Sequence, residues 1–176
     1  MNKNIFINER GFTLVELLIY LGIFVVLITA ITLFAIIFIK ATHKSQIKKE
    51  VAYSAFSAIR AMLFEIKMAD AVYNPTSVFD YSPGQISLAT SENPPINENS
   101  TYTDIYVDAD NRLYIKKENQ QPQALISEDL RVVGLSFGYL ASSSESIRIN
   151  LTIAYDSNNP EFQYSYTLNS SASIRK

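Results

Sequence analysis

The chain has no cysteine and no tryptophan, and its only histidine is His43. Without cysteine there is no disulfide, no thiolate metal ligand and no cysteine nucleophile. A metal site or catalytic base built on His43 would need partners, and none stands at a ligand spacing from it. A solvated helix position is the simpler reading. Ser142-Ser143-Ser144 lacks the flanking G-x-S-x-G elbow of a serine hydrolase and reads as loop. A net charge of −2 over 176 residues excludes the global basic footprint of a nucleic-acid binder. Nothing here assembles a catalytic constellation. The expectation is a protein that is no enzyme and takes no cofactor and no metal.

Charge of either sign is nearly missing from one long stretch. A polar leader, Met1–Gly11, is followed by an apolar run from Phe12 to Ile39 whose one charge is Glu16. That run exceeds the roughly 20 residues a helix needs to span a bilayer. It contains no proline, so nothing forces a kink. A removable secretory signal would have a core of about 7–15 residues and a small-residue cleavage site, and neither fits. Glu16 is then the anomaly. A carboxylate costs about 2.5–3.5 kcal/mol at the centre of a membrane helix and less near its end, where it can snorkel toward water. The leader carries Lys3 and Arg10, whereas Lys40, Lys44, Lys48 and Lys49 follow the run. The Lys and Arg count alone would put the C-terminal part in the cytoplasm. Those lysines read as a solvated helix face at a membrane boundary.

The helical pattern continues past the apolar run. Ile47, Val51, Ala55, Ala58, Ile59, Met62, Ile66, Ala69 and Tyr73 recur in steps of three and four and form one stripe. Asn74-Pro75 closes the pattern. The spacing predicts one helix from Phe12 to Tyr73, about 90 Å long at 1.5 Å per residue. The expected divisions are a leader at 1–11, a transmembrane and assembly helix at 12–39, an amphipathic helix at 40–73, and a β-rich head at 74–176.

Beyond Pro75 the period changes to two. Expected strands are Gln85–Ala89, Asp104–Asp108, Arg112–Lys116, Arg131–Leu140, Ser146–Tyr155 and Phe162–Leu168. Ile147, Ile149, Leu151, Ile153 and Tyr155 alternate strictly with polar or small residues. An antiparallel sheet with one buried face follows, covered by the helix stripe. The segment from Thr90 to Thr103 reads as loop. Asp104, Asp108, Asp110 and Asn111 could suggest a Ca²⁺ site. No EF-hand spacing is present, and a tight turn uses the same residues. The tyrosines fall mostly on strands, where sheet packing accounts for them. The fold class is α+β: a long N-terminal helix packed on a C-terminal antiparallel β-sheet.

Gly11-Phe12-Thr13-Leu14-Val15-Glu16-Leu17-Leu18 resembles the cleavage and methylation motif of type IV prepilins and type II secretion pseudopilins. Ile19-Tyr20-Leu21-Gly22-Ile23 is most similar to the minor members. The resemblance covers roughly the first thirty residues and implies a pilin-like fold. It implies that a prepilin peptidase cuts between Gly11 and Phe12 and methylates the new amine of Phe12. It also implies assembly residues at Glu16 and Thr13. In a helical filament the Phe12 amine of one subunit would meet Glu16 of its neighbour. In low dielectric an unpaired charge is very costly and a pair is tolerable, so the pair would specify register.

Val25 and Leu33 stand where major pilins often carry helix-weakening Gly or Pro, and the C-terminal cysteine pair of many pilins is absent. Both point to a minor pilin or pseudopilin. The implied partners are the peptidase, other pilin or pseudopilin subunits, the assembly machinery and the lipid bilayer. No small-molecule substrate is implied, and nucleic acid would enter only through a DNA-uptake system. The implied location is the bacterial inner membrane with the head outside the cytoplasm, then a pilus or pseudopilus at the cell surface. The rival expectation is a single-pass, membrane-anchored extracellular binding protein.

Overall fold

The computed structural model describes residues 11, 13–91, 94, 98–140, 145–157 and 159–174. Residues 1–10 of the leader, Phe12 and Ser142–Ser144 lie outside the described residues. The chain divides into two compact units, one up to His43 and one from Lys44.

Helix α1 spans Leu14–Met68, 55 residues. Up to Gln46 every described residue is exposed. From Ile47 onward one face is buried: Ile47, Val51, Ala55, Ala58, Ile59, Met62 and Ile66 are in the core, as the spacing predicts. Ser54 joins them. Each large aliphatic side chain removed from water there contributes about 1.5–3 kcal/mol. Lys48, Lys49, Glu50, Arg60 and Lys67 are exposed, off the stripe.

The helix ends at Met68 and not at Tyr73. The amide of Asp70 donates to Ala89 O at 2.9 Å and that of Tyr73 to Ser87 O at 2.8 Å. The backbone has left the helix to form a short strand, β1 (Ala71–Val72), against β2 (Ile86–Thr90). Ala69 and Tyr73 keep helical spacing in the sequence, so the pattern overran by five positions. Ala69 is still buried, but Tyr73 lies tilted against Tyr102 outside the core, with ring centroids 4.9 Å apart.

The head holds two antiparallel sheets where one was expected. The first has five strands in chain order: β1, β2, β3 (Thr101–Val107), β4 (Leu113–Lys117) and β5 (Gln123–Ala124). The second has three: β6 (Leu130–Leu140), β7 (Ser146–Tyr155) and β8 (Tyr164–Ser173). The break follows from β5, which lasts two residues. The chain then turns inward at Ile126, which is buried, before β6 begins. The segment between Val78 and Gln85 links the sheets by running along β6. There Asp80 N donates to Phe137 O at 2.8 Å and Gly84 N to Leu135 O at 2.7 Å. A Cβ on Gly84 would stand 3.1 Å from Tyr81 O and 3.3 Å from Leu135 O, so a side chain here would push this strap or β6 back by a few tenths of an ångström.

One apolar cluster joins the buried face of α1 to both sheets. Strand β7 realises its period of two in full, with Ile147, Ile149, Leu151 and Ile153 buried while Arg148 and Asn150 are exposed. The result is an α+β, pilin-like architecture. A long N-terminal helix packs part of its length against antiparallel sheets.

Candidate processing and assembly site

Gly11 lies N-terminal to the helix and is exposed. A Cβ built on it meets nothing within 4 Å. Its φ is not in the left-handed region either. Neither packing nor backbone conformation within this chain requires glycine at that position.

Thr13 caps α1. Its Oγ1 accepts from Glu16 N at 3.3 Å, and its carbonyl accepts the first helical bond, from Leu17 N at 3.2 Å. A Thr N-cap with Glu three residues on is half of a capping box. Glu16 thus sits in the first turn, where the helix dipole favours a negative charge. Its Oε1 also accepts from the hydroxyl of Tyr20, one turn later, at 3.3 Å. The expected assembly residues Thr13 and Glu16 are therefore joined to each other. Tyr20 was not anticipated as a partner, although a spacing of four on a helix is the signal for such a contact.

The other polar side chains in the apolar stretch are satisfied locally. Thr29 Oγ1 donates to Val25 O at 2.8 Å and Thr32 Oγ1 to Ile28 O at 2.9 Å, and just beyond the stretch Thr42 Oγ1 donates back to Phe38 O at 2.9 Å. Such back-bonding spends hydroxyl donors inside the helix, as an apolar solvent demands. The stretch is long and apolar enough to cross a membrane. Glu16 is the one carboxylate in it, and two weak contacts leave it with acceptor capacity to spare.

The acidic residues of the head do structural work. Asp108 Oδ1 accepts from Asp110 N at 3.0 Å and from Arg112 N at 2.8 Å, closing the turn between β3 and β4. Asn111 adopts φ 59° there. Asp104 is elsewhere engaged, accepting from the buried Ser87 hydroxyl at 2.5 Å. Among the described residues no three His, Cys, Asp or Glu gather as a metal site. Asp70 accepts two bonds from Ser91, from its hydroxyl at 2.7 Å and its amide at 2.6 Å. The hydroxyl bond first and the amide bond second hold the Asp70 carboxyl below the usual carboxylate range. His43 is exposed on α1, and Lys48 Nζ lies 5.5 Å from the centre of the Tyr164 ring.

No curated protein and no solved structure matches the chain. One family model does: the prokaryotic N-terminal methylation motif matches residues 7–32. The matched span contains Gly11, Phe12, the Thr13 cap, Glu16 and Tyr20, and ends inside the apolar stretch. Over residues 7–32, then, this chain carries the N-terminal signature of a type IV prepilin.

Proposed function

We propose that this chain is a structural minor subunit of a type IV pilus or pseudopilus and catalyses nothing itself. The motif marks a pilin-like precursor that is processed and methylated. In the finer reading a prepilin peptidase cuts after Gly11 and Phe12 becomes the N-methylated first residue. Before the cut the Phe12 nitrogen is an uncharged amide. After it, the nitrogen is a cation, and Glu16 of a neighbouring subunit is the carboxylate within the same apolar layer. The pair would set the axial register of one subunit against the next. The head stands outside the cytoplasm.

The observation that carries this reading is the conjunction at the helix start. A glycine that the fold does not require precedes a capped helix whose only acid in the apolar stretch is exposed in its first turn. Both features fit contacts with other molecules, a peptidase at Gly11 and a neighbouring subunit at Glu16. The test is mass spectrometry of the N-terminus of protein taken from host membranes. A chain that begins at N-methyl-Phe12 is expected. A chain that still begins at Met1 or Asn2 in cells with an active peptidase sinks the reading.

The rival, an anchored extracellular binding protein, has one feature in its favour. An open depression of about 560 Å³ lies at the ends of β6, β7 and β8, lined by Arg131, Asp156, Tyr155 and Tyr164 among others. Its one guanidinium is already held, by Asp156 at 2.8 Å and by Asp110 O at 3.0 Å. The N-terminal test separates the two readings, because the rival has no use for a cut after Gly11.

A further inference from the structure

Tyr20 is the one tyrosine between Phe12 and Ile39, where every other ring is a phenylalanine. A phenylalanine at 20 would bring the same ring without a polar group. A hydroxyl in an apolar solvent is costly unless it is bonded. Thr29 and Thr32 meet that demand by donating to their own helix backbone. A tyrosine hydroxyl stands at the far end of its ring and serves a side chain instead. Here it donates to Glu16 Oε1 at 3.3 Å. Helical side chains lean toward the N-terminus, so a ring at 20 lies over the turn that carries residue 16. Leu17, Leu21 and Phe24 share an open apolar depression with that ring. The body of Tyr20 thus lies on an apolar face while its tip reaches the acid.

The bond has a direction along the helix. Glu16 is in the first turn of α1, and Tyr20 is one turn, about 5.4 Å, further into the apolar stretch. A carboxylate this near the end of an apolar helix can snorkel toward the water on the leader side. A donor on the inner side opposes that movement. The backbone of Glu16 is held from the other side, because its amide donates to Thr13 Oγ1 at 3.3 Å. Cap and tyrosine therefore fix the two ends of the same residue.

We propose that Tyr20 is a positioning residue for Glu16, whose hydroxyl keeps the carboxylate inside the apolar layer and turned away from the leader until a cationic group of a second copy of this chain meets it. This rests on the reading of Glu16 as the pairing acid. The contact suits a temporary holder. At 3.3 Å it is long for an O–H···O bond, whose common length is about 2.7–2.8 Å. A carboxylate has about four acceptor positions, and one hydroxyl fills one of them. An ammonium group can therefore be added without first displacing Tyr20. The ring itself is not what the acid needs. Any side chain that places a donor four residues on would serve, and a bare ring would not.

Three variants of the full chain in host cells test this: Tyr20→Phe, Tyr20→Gln and Glu16→Ala. The readout is the fraction of the membrane pool recovered in sheared filaments, with the N-terminus followed by mass spectrometry. Tyr20→Phe keeps the ring and loses the donor. Its incorporation should fall about two- to tenfold, the fold-change of one hydrogen bond, with maturation at the parent level. Tyr20→Gln loses the ring and restores a donor at the same spacing, so it should assemble better than Tyr20→Phe. Parent-level assembly by Tyr20→Phe overturns the proposal, and a severe loss in Glu16→Ala beside it leaves the pairing role of Glu16 standing. Equal losses in Tyr20→Phe and Tyr20→Gln also overturn it, since the hydroxyl would then not act as the donor. So does a maturation defect in Tyr20→Phe, which would move the role of the hydroxyl to the peptidase step. Parent-level assembly by Glu16→Ala removes the pairing role and this proposal together.

Discussion

One helix is built to two different rules. Up to Gln46 α1 is exposed all round, and its hydroxyls are spent on its own carbonyls. From Ile47 to Ile66 it is a half-buried helix whose apolar residues keep to one face. The backbone does not register the change. What changes is the solvent each stretch is fitted to, lipid or neighbouring helices for the first and the head's own core for the second. In the second stretch an apolar residue is explained by what it touches inside the chain. In the first stretch it is explained only by something outside.

The sharpest way to break this contrast is at its N-terminal limit. Gly11→Val should leave the fold untouched, since the new side chain meets nothing. It should nevertheless stop processing altogether, because a β-branched residue crowds the scissile bond. Immunoblots of host membranes would then show only the longer precursor, and normal maturation would refute the position of the cut. Next in size is Glu16→Ala. Insertion should be unchanged or better, as a charge is lost from the apolar stretch. Incorporation into filaments should fall severely, and assembly equal to the parent would remove the register role from Glu16.

A paired substitution tests the helix halves directly. Met62→Ala, in the core with no exposed surface, should destabilise the head by about 2–5 kcal/mol. Leu21→Ala, exposed in the first stretch, should change head stability by no more than about 0.5 kcal/mol. Unfolding of the full chain in detergent, followed by tyrosine fluorescence, reads both. Equal losses would show that the two stretches are not independent.

The smallest effect concerns Asp70, where the chain leaves the helix. Its folded pKa is depressed by the Ser91 bonds. Its contribution to stability is therefore present above the ordinary carboxylate value of about 3.9 and is lost as pH falls through the lower folded value. Ser91→Ala removes the leading cause, so a small part of the stability present near neutrality should be lost, while stability below the folded Asp70 pKa stays the same and the fall in stability between the two becomes shallower. A pH dependence equal to the parent's would show that this exposed contact contributes nothing.

Much of this was legible in the residues. The stripe from Ile47 to Ile66 is an unbroken run of helical steps, and the alternation from Ile147 to Ile153 leaves one way to face a core. Both are repeated local signals that the tertiary structure reinforces. The end of α1 was not legible, because Ala69 and Tyr73 sit at helical spacing while their backbone pairs with β2. The division into two sheets depends on β5 stopping after two residues and on a strap from residues 78–85, and neither has a periodic signature. At the helix start, Glu16 could be picked out by its isolation, and Gly11 through the resemblance its motif carries. The bond from Tyr20 to Glu16 was within reach, since the spacing of four was visible, but an aromatic in an apolar run reads first as packing.

The Thr13 cap has a further consequence for how the chain could be cut. A peptidase grips its substrate as an extended strand, and a helical backbone, with its groups tied into its own ladder, offers no such strand. Here the ladder's first bond is taken at Thr13 O. The Gly11–Phe12 bond lies upstream of that boundary. Thr13 thus fixes the start of α1 two residues after Gly11, so under the proposed cut the helix can form without enclosing Gly11.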